Sequence, residues 1–170
     1  MEKISWIKEL VKAEQQMEES GLVDMSFGFD SDKILVTETV QFLLGLKTEF
    51  VDASTSFNEL KPSALGRIKI YGIAKTHADF MLFRNGFKMI FSLKAAGQIS
   101  VRFNFIGTHF IPTPGLTEPA QTTTNVMDEH VIEAKWGAFG EIVWTYQNQP
   151  VKMEYMVRHY LTLFIKESSK

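Results

Sequence analysis

The chain has 170 residues, 45% of them hydrophobic and 22% charged. That length suits one domain burying about two-thirds of its unfolded surface, and that composition excludes a mainly disordered polypeptide. There is no cysteine, so disulfides, thiolate metal sites and cysteine nucleophiles are ruled out. The formal net charge is −2 and unevenly spread: residues 1–60 hold 12 acids and 5 bases, a net −7, and residues 61–170 hold 8 acids and 13 bases, a net +5. The amino-terminal stretch MEKISWIKELVKAEQQ has charges every few residues, unlike a signal peptide, and no stretch approaches the ~18 apolar residues of a membrane span. A soluble, cytoplasmic protein is the expectation.

In chain order, Trp6, Leu10, Ala13 and Met17 recur at helical spacing with Ile7 and Val11 beside them, which predicts an amphipathic helix over 2–19. Gly21 is a natural stop. Val23, Met25, Phe27 and Phe29 alternate and predict a strand. Residues 33–37 suit either state. From Val36 through Thr39, Leu43, Leu46, Phe50, Ala53 and Phe57 to Leu60 the spacing is that of one long helix, over about 38–60, ended by Lys61-Pro62. The helical part is thus expected over about 1–60.

After residue 66 the period changes to two. Asn85-Gly86 between ADFMLFR and FKMIFSL is a strong hairpin signal, with Arg84 opposite Phe87. A five-residue connection from Lys94 to Gln98 brings Ile99, Val101, Phe103 and Phe105 into line with Phe87, Met89 and Phe91, whereas a four-residue one sets them against Lys88 and Ser92. Burial of the apolar face selects the former. The predicted face carries Phe80, Phe87, Phe91, Phe103 and Phe105. Residues 107–127, rich in proline and threonine, form a long irregular segment of the kind that serves as a lid or an interaction arm.

Residues 128–146 and 151–165 read as the last two strands of a sheet spanning about 66–166. A four-residue loop over Gln147–Pro150 spares Pro150 a bond it cannot donate and sets Trp144 opposite Met153, Ile142 opposite Tyr155 and Trp136 opposite Leu161. In VKMEYMVRHYLTLFI the odd positions are apolar or aromatic except His159, which falls opposite Ala138, with Gly137 and Gly140 nearby. Two accounts suit it. A lone histidine on an apolar face is more often structural, donating to a backbone carbonyl where the ribbon bends. The functional account makes the small residues the floor of a pocket and His159 its polar anchor.

No glycine-rich phosphate loop, zinc-protease helix or serine-hydrolase elbow is present in the sequence. The cluster Asp128-Glu129-His130-x-x-Glu133 would put His130 and Glu133 on opposite faces of a strand, so no metal site is assigned. Eight bases between Lys61 and Arg102 face Asp79 alone, but the alternation buries the neighbouring aromatics. Nucleic acid is therefore not the expected partner. No catalytic residue and no cofactor is assigned; His159 with Tyr155 would be the one acid–base pairing to consider.

The expected fold is α+β: N-terminal helices packed on a twisted antiparallel β-meander, or a partly closed barrel, in a single domain. The expected function is non-catalytic binding of a small, largely apolar ligand in an aromatic-lined cavity between sheet and helix. His159, Tyr155, Tyr146, Trp144 and Trp136 are its candidate contacts, with Arg102 or Arg158 for an anionic end. The alternative is a self-associating or protein-interaction module without a small ligand, forming a homo-oligomer through the 38–60 helix or an edge strand.

Overall fold

Leucines and phenylalanines three and four apart can share one side of a helix, and one face of a sheet can bury them. A computed structural model describes residues 3–21, 31–73, 76–104 and 128–169. The expected strand over Val23–Phe29, Phe105 and the 107–127 loop lie outside the described residues. The chain falls into two compact units, Met1–Leu35 and Val36–Lys170.

In the first unit, helix α1 (Lys3–Ser20) ends at Gly21, whose φ of 65° is the left-handed backbone of a helix stop. Its apolar residues Trp6, Leu10 and Val11 are all about half exposed. Helix α2 (Ser31–Leu60) settles the ambiguity at 33–37 in favour of helix.

The second unit carries most of α2, a sheet and a third helix. Seven strands follow in chain order and pair antiparallel, each with the next: β1 (Lys69–Gly72), β2 (Phe80–Arg84), β3 (Phe87–Ala95), β4 (Gln98–Asn104), β5 (Asp128–Trp136), β6 (Ile142–Tyr146) and β7 (Gln149–Pro150). The sheet is an open meander, not a closed barrel, since β1 and β7 lie at its two ends. Both expected central registers are present. Arg84 pairs with Phe87 across Asn85-Gly86, Phe91 pairs with Val101 and Met89 with Phe103. A register shift between Leu93 and Ala95 lets the tight β3–β4 turn coexist with the pairing of a longer loop.

Helix α2 lies on this sheet with Thr39, Leu43, Leu46, Phe50 and Ser54 buried. Phe50 meets Phe91 with ring centroids 4.8 Å apart, and Phe91 stacks on Phe80 at 4.8 Å. Polar bonds fix the helix at both ends. Gly97 N–H donates to Thr39 Oγ1 (2.9 Å), while Asn58 exchanges two 2.9 Å bonds with the backbone of Ile68. The seam proposed for self-association, including Leu46 and Phe50, is thus buried in the chain's own core. No helix among the described residues is long and apolar enough to cross a membrane.

The carboxy-terminal expectations need correction. Residues 128–146 are two strands joined by a turn at Gly137–Glu141, where Gly140 has φ 81°. Gly137 and Gly140 are therefore turn residues and do not floor a strand opposite His159. The expected final strand over 151–165 is helix α3 (Met153–Ser168), so the sheet ends at Pro150. Gln147 and Asn148 both adopt positive φ (48° and 66°) and close a two-residue turn between Tyr146 and Gln149. Pro150 needs no N–H there, because it pairs with Thr145 one step beyond the closing pair and Val151 N–H donates to Trp144 O at 2.9 Å. Trp144 thus faces Val151 and not Met153.

The segment is helical because apolar side chains also fall at the even positions 156, 160 and 164. Met156, Val157, Tyr160, Phe164 and Ser168 are its buried side and follow the helical period, whereas alternation would strand Met156, Tyr160 and Phe164 on the wrong face. A strand of that length would also far exceed the usual 5–6 residues. The helix lies beside α2, where a Cβ on Gly45 would come within 2.9 Å of Met153 Cε. Its far end is held by Arg84, which is 6% exposed. The guanidinium donates to Ile165 O (3.2 Å), Ser168 Oγ (2.9 Å) and Ser169 Oγ (2.8 Å) of α3 and to Gly66 O (2.7 Å). A cation at a helix carboxy terminus, donating to one of its last-turn carbonyls, Ile165 O, is favourable on both counts.

Candidate functional site

Where α3 crosses the end of the sheet, the two elements separate and leave an open cavity of ≈ 520 Å³. The strands contribute Ile132 of β5 and Tyr146 of β6, which are cross-strand partners, and Pro150 and Val151 close one end. The helix side is Lys152, Tyr155, Met156, His159 and Tyr160. These five positions stand at intervals of three, one, three and one, the spacing of a single helical face. Lys152 is the N-cap of α3 and makes no side-chain cap bond. A volume of this size falls within the usual small-molecule range of ~300–1,000 Å³.

Beside Tyr160 a polar pair is set into the aromatic wall. His130 of β5 shares the core-facing side of the sheet with Val101, and its Nδ1 lies 3.1 Å from the Tyr160 hydroxyl, joined to it by a hydrogen bond. The imidazole is enclosed by rings: Phe103 at 5.0 Å, Tyr146 at 5.1 Å and Tyr160 at 5.9 Å between centroids. Burial pushes the Tyr160 phenol well above its ordinary value, with a smaller contribution from Tyr146. Burial also holds the His130 imidazole below its ordinary value; His159 adds to that effect and Asp128 opposes it. Both members are thus biased to their neutral forms, which suits a fixed hydrogen-bonding anchor more than a charged one. His159 packs edge-on to Tyr160 at 5.1 Å but is itself exposed at the cavity rim, as is Tyr155 at 60%.

Of the residues singled out from sequence, His159, Tyr155 and Tyr146 are brought together at this cavity. The other four stand elsewhere. Trp144 is 8% exposed and stacks on Phe42 of α2 at 4.6 Å, so its ring belongs to the core. Trp136 pairs with Ile142 at the far end of β5. Arg102 pairs with Ile90 and Glu129, which places it on the sheet face opposite α2 and α3. There Lys94 and Ser100 bond Glu129 and hold its carboxyl below the ordinary range, with Arg102 adding a smaller push. Arg158 is exposed on α3, 3.6 Å from Glu154 and over the Tyr155 ring.

Ile132, Val151, Lys152, Met156, Tyr160 and His130 were not among the sequence candidates. The signal for three of them, Lys152, Met156 and Tyr160, was present as the helical face they share with Tyr155 and His159, hidden by the alternation that overlies it. His130 and Glu133 do fall on opposite faces of β5, so the acidic-histidine cluster does not converge. Comparison of the chain with protein-family models, with curated proteins and with solved structures found no match.

Proposed function

We propose that this chain binds a small, largely apolar molecule in the cavity between α3 and the β5–β6 end of the sheet, without transforming it. One observation carries the reading. A cavity of ≈ 520 Å³ is walled by Ile132, Tyr146, Val151, Met156 and Tyr160, with polar groups confined to a few positions. Specific small-molecule sites combine these features: apolar walls that favour desolvation and a few hydrogen-bonding groups that fix orientation. The Tyr160 hydroxyl, held by His130, and the Tyr146 hydroxyl supply that orientation. Among the described lining residues there is no carboxylate and no serine or threonine, so the lining offers neither a hydroxyl nucleophile of that type nor a carboxylate acid–base pair.

Native mass spectrometry of the purified protein tests the proposal. A bound mass above 19.4 kDa that is lost on denaturation, and that is absent from a Val151→Trp variant, is the expected result. If the variant retains the same mass, the ligand sits elsewhere. A ligand-free spectrum at an integer multiple of the chain mass would favour self-association through an edge strand instead.

A further inference from the structure

We infer that the ligand of this cavity is an amphipathic monoanion, its apolar body lodged against Ile132, Val151 and Met156 and its acid group held at the rim by Lys152 and His159. The inference rests on the binding role proposed above and adds the ligand's charge. The cavity is chemically polarised. Its interior walls are aliphatic and aromatic, and its nitrogen donors, the Lys152 ammonium and the His159 imidazole, belong to exposed residues at its margin. Lys152 brings an ammonium group, and His159 offers an imidazole N–H on the same helical face. Among the described residues, no Asp or Glu lines the cavity to oppose an anion. The nearest acid of the first α3 turn, Glu154, is turned to solvent and lies 3.6 Å from Arg158, so its charge is partly offset on the outer side of the helix.

A neutral apolar molecule would fill the interior but leave Lys152 and His159 unused. A cation would meet them and find no carboxylate among the described lining residues. A dianion would exceed the charge available. A single carboxylate or sulfonate on an apolar body satisfies both zones, since desolvation supplies affinity and the rim supplies orientation. Exposed ion pairs are weak and salt-sensitive, so the charge should favour an anion several-fold rather than by orders of magnitude.

Two dyes of nearly the same apolar body test this. 8-Anilinonaphthalene-1-sulfonate carries one anionic group, and N-phenyl-1-naphthylamine carries none. Each is titrated by fluorescence against the wild-type chain, Val151→Trp, and the double variant Lys152→Gln/His159→Gln, whose replaced side chains are exposed and whose fold should stand. The expected result is that Val151→Trp weakens both dyes. The double variant should weaken the sulfonate by about three- to tenfold, the size of effect exposed charge pairs give, while leaving the neutral dye within about twofold. About 0.5 M salt should reproduce the loss in the wild type. If the double variant weakens both dyes equally or neither, the anion assignment is overturned while the cavity stands. If Val151→Trp leaves both dyes bound as before, the cavity reading itself fails.

Discussion

Two helices cover one sheet face, yet the space beneath them is filled differently. Under α2, Phe50, Phe80 and Phe91 are fully buried and touch ring to ring, with Leu43, Leu46 and Leu82 closing the gaps. Under the first turns of α3 the aromatics are Tyr146, Tyr155 and Tyr160, and the surface they line stays open. A phenylalanine has no polar atom and can be enclosed on all sides, whereas a tyrosine needs a partner or water for its hydroxyl. The sealed end is built from side chains that gain most by excluding everything. The open end uses rings that carry a polar tip, and a region of that kind can accept a guest.

Truncation should separate the two ends most sharply. Phe91→Ala removes a ring with no exposed surface and should lower stability by about 3–5 kcal/mol, the range for a buried aromatic. Tyr155→Ala at the open end, 60% exposed, should cost under about 1 kcal/mol. Urea unfolding of both variants checks this, and equal losses would mean that the α3 end is as tightly built as the core.

A smaller effect concerns pH. Burial, with His159 nearby, holds His130 below its ordinary value of 6.5 in the folded chain. The unfolded chain then takes up the proton first. The stabilisation is fully present above about pH 6.5 and is lost as pH falls through the lower folded value. The groups facing the imidazole are Tyr160 of α3, Tyr146 of β6, Asp128 on its own strand and His159 at the rim. Unfolding measured across that window should fall more steeply for the wild type than for His130→Gln. Parallel curves would show that another group carries the acid sensitivity.

How much of this was legible in the sequence differs between the same two ends. At the sealed end a single period governed each segment. The 3-4 spacing from Thr39 to Phe50 and the alternation around Asn85-Gly86 admitted one good arrangement each, and the registers Arg84–Phe87 and Phe91–Val101 followed from burying the apolar side. At the open end two periods overlapped. Met153, Val157, Leu161 and Ile165 alternate along a strand but are also four apart on a helix, so periodicity alone could not choose. The turn added to the error: Gln147 and Asn148 both take left-handed backbone, uncommon for a non-glycine residue such as Gln147, and their two-residue turn moved Pro150 out of the closing position. His159, Tyr155 and Tyr146 do line one cavity, although the reason for grouping them, small residues opposite a strand histidine, does not hold. Trp144 was misplaced because burial beneath Phe42 depends on where α2 lies; Arg102 alternates with the buried Val101 and Phe103, so the predicted register already set it on the other sheet face. Tyr160 and His130 meet across 30 residues of sequence, a distance that spacing does not reveal.

The central claim is that the α3 end of the sheet admits a guest and the α2 end does not. Methyl-resolved NMR of the chain titrated with N-phenyl-1-naphthylamine tests it most directly. The account predicts saturable shifts at Ile132, Val151 and Met156, with Leu43, Leu46, Leu82 and Met89 unmoved. Shifts confined to that second group, or none at either end, would contradict it.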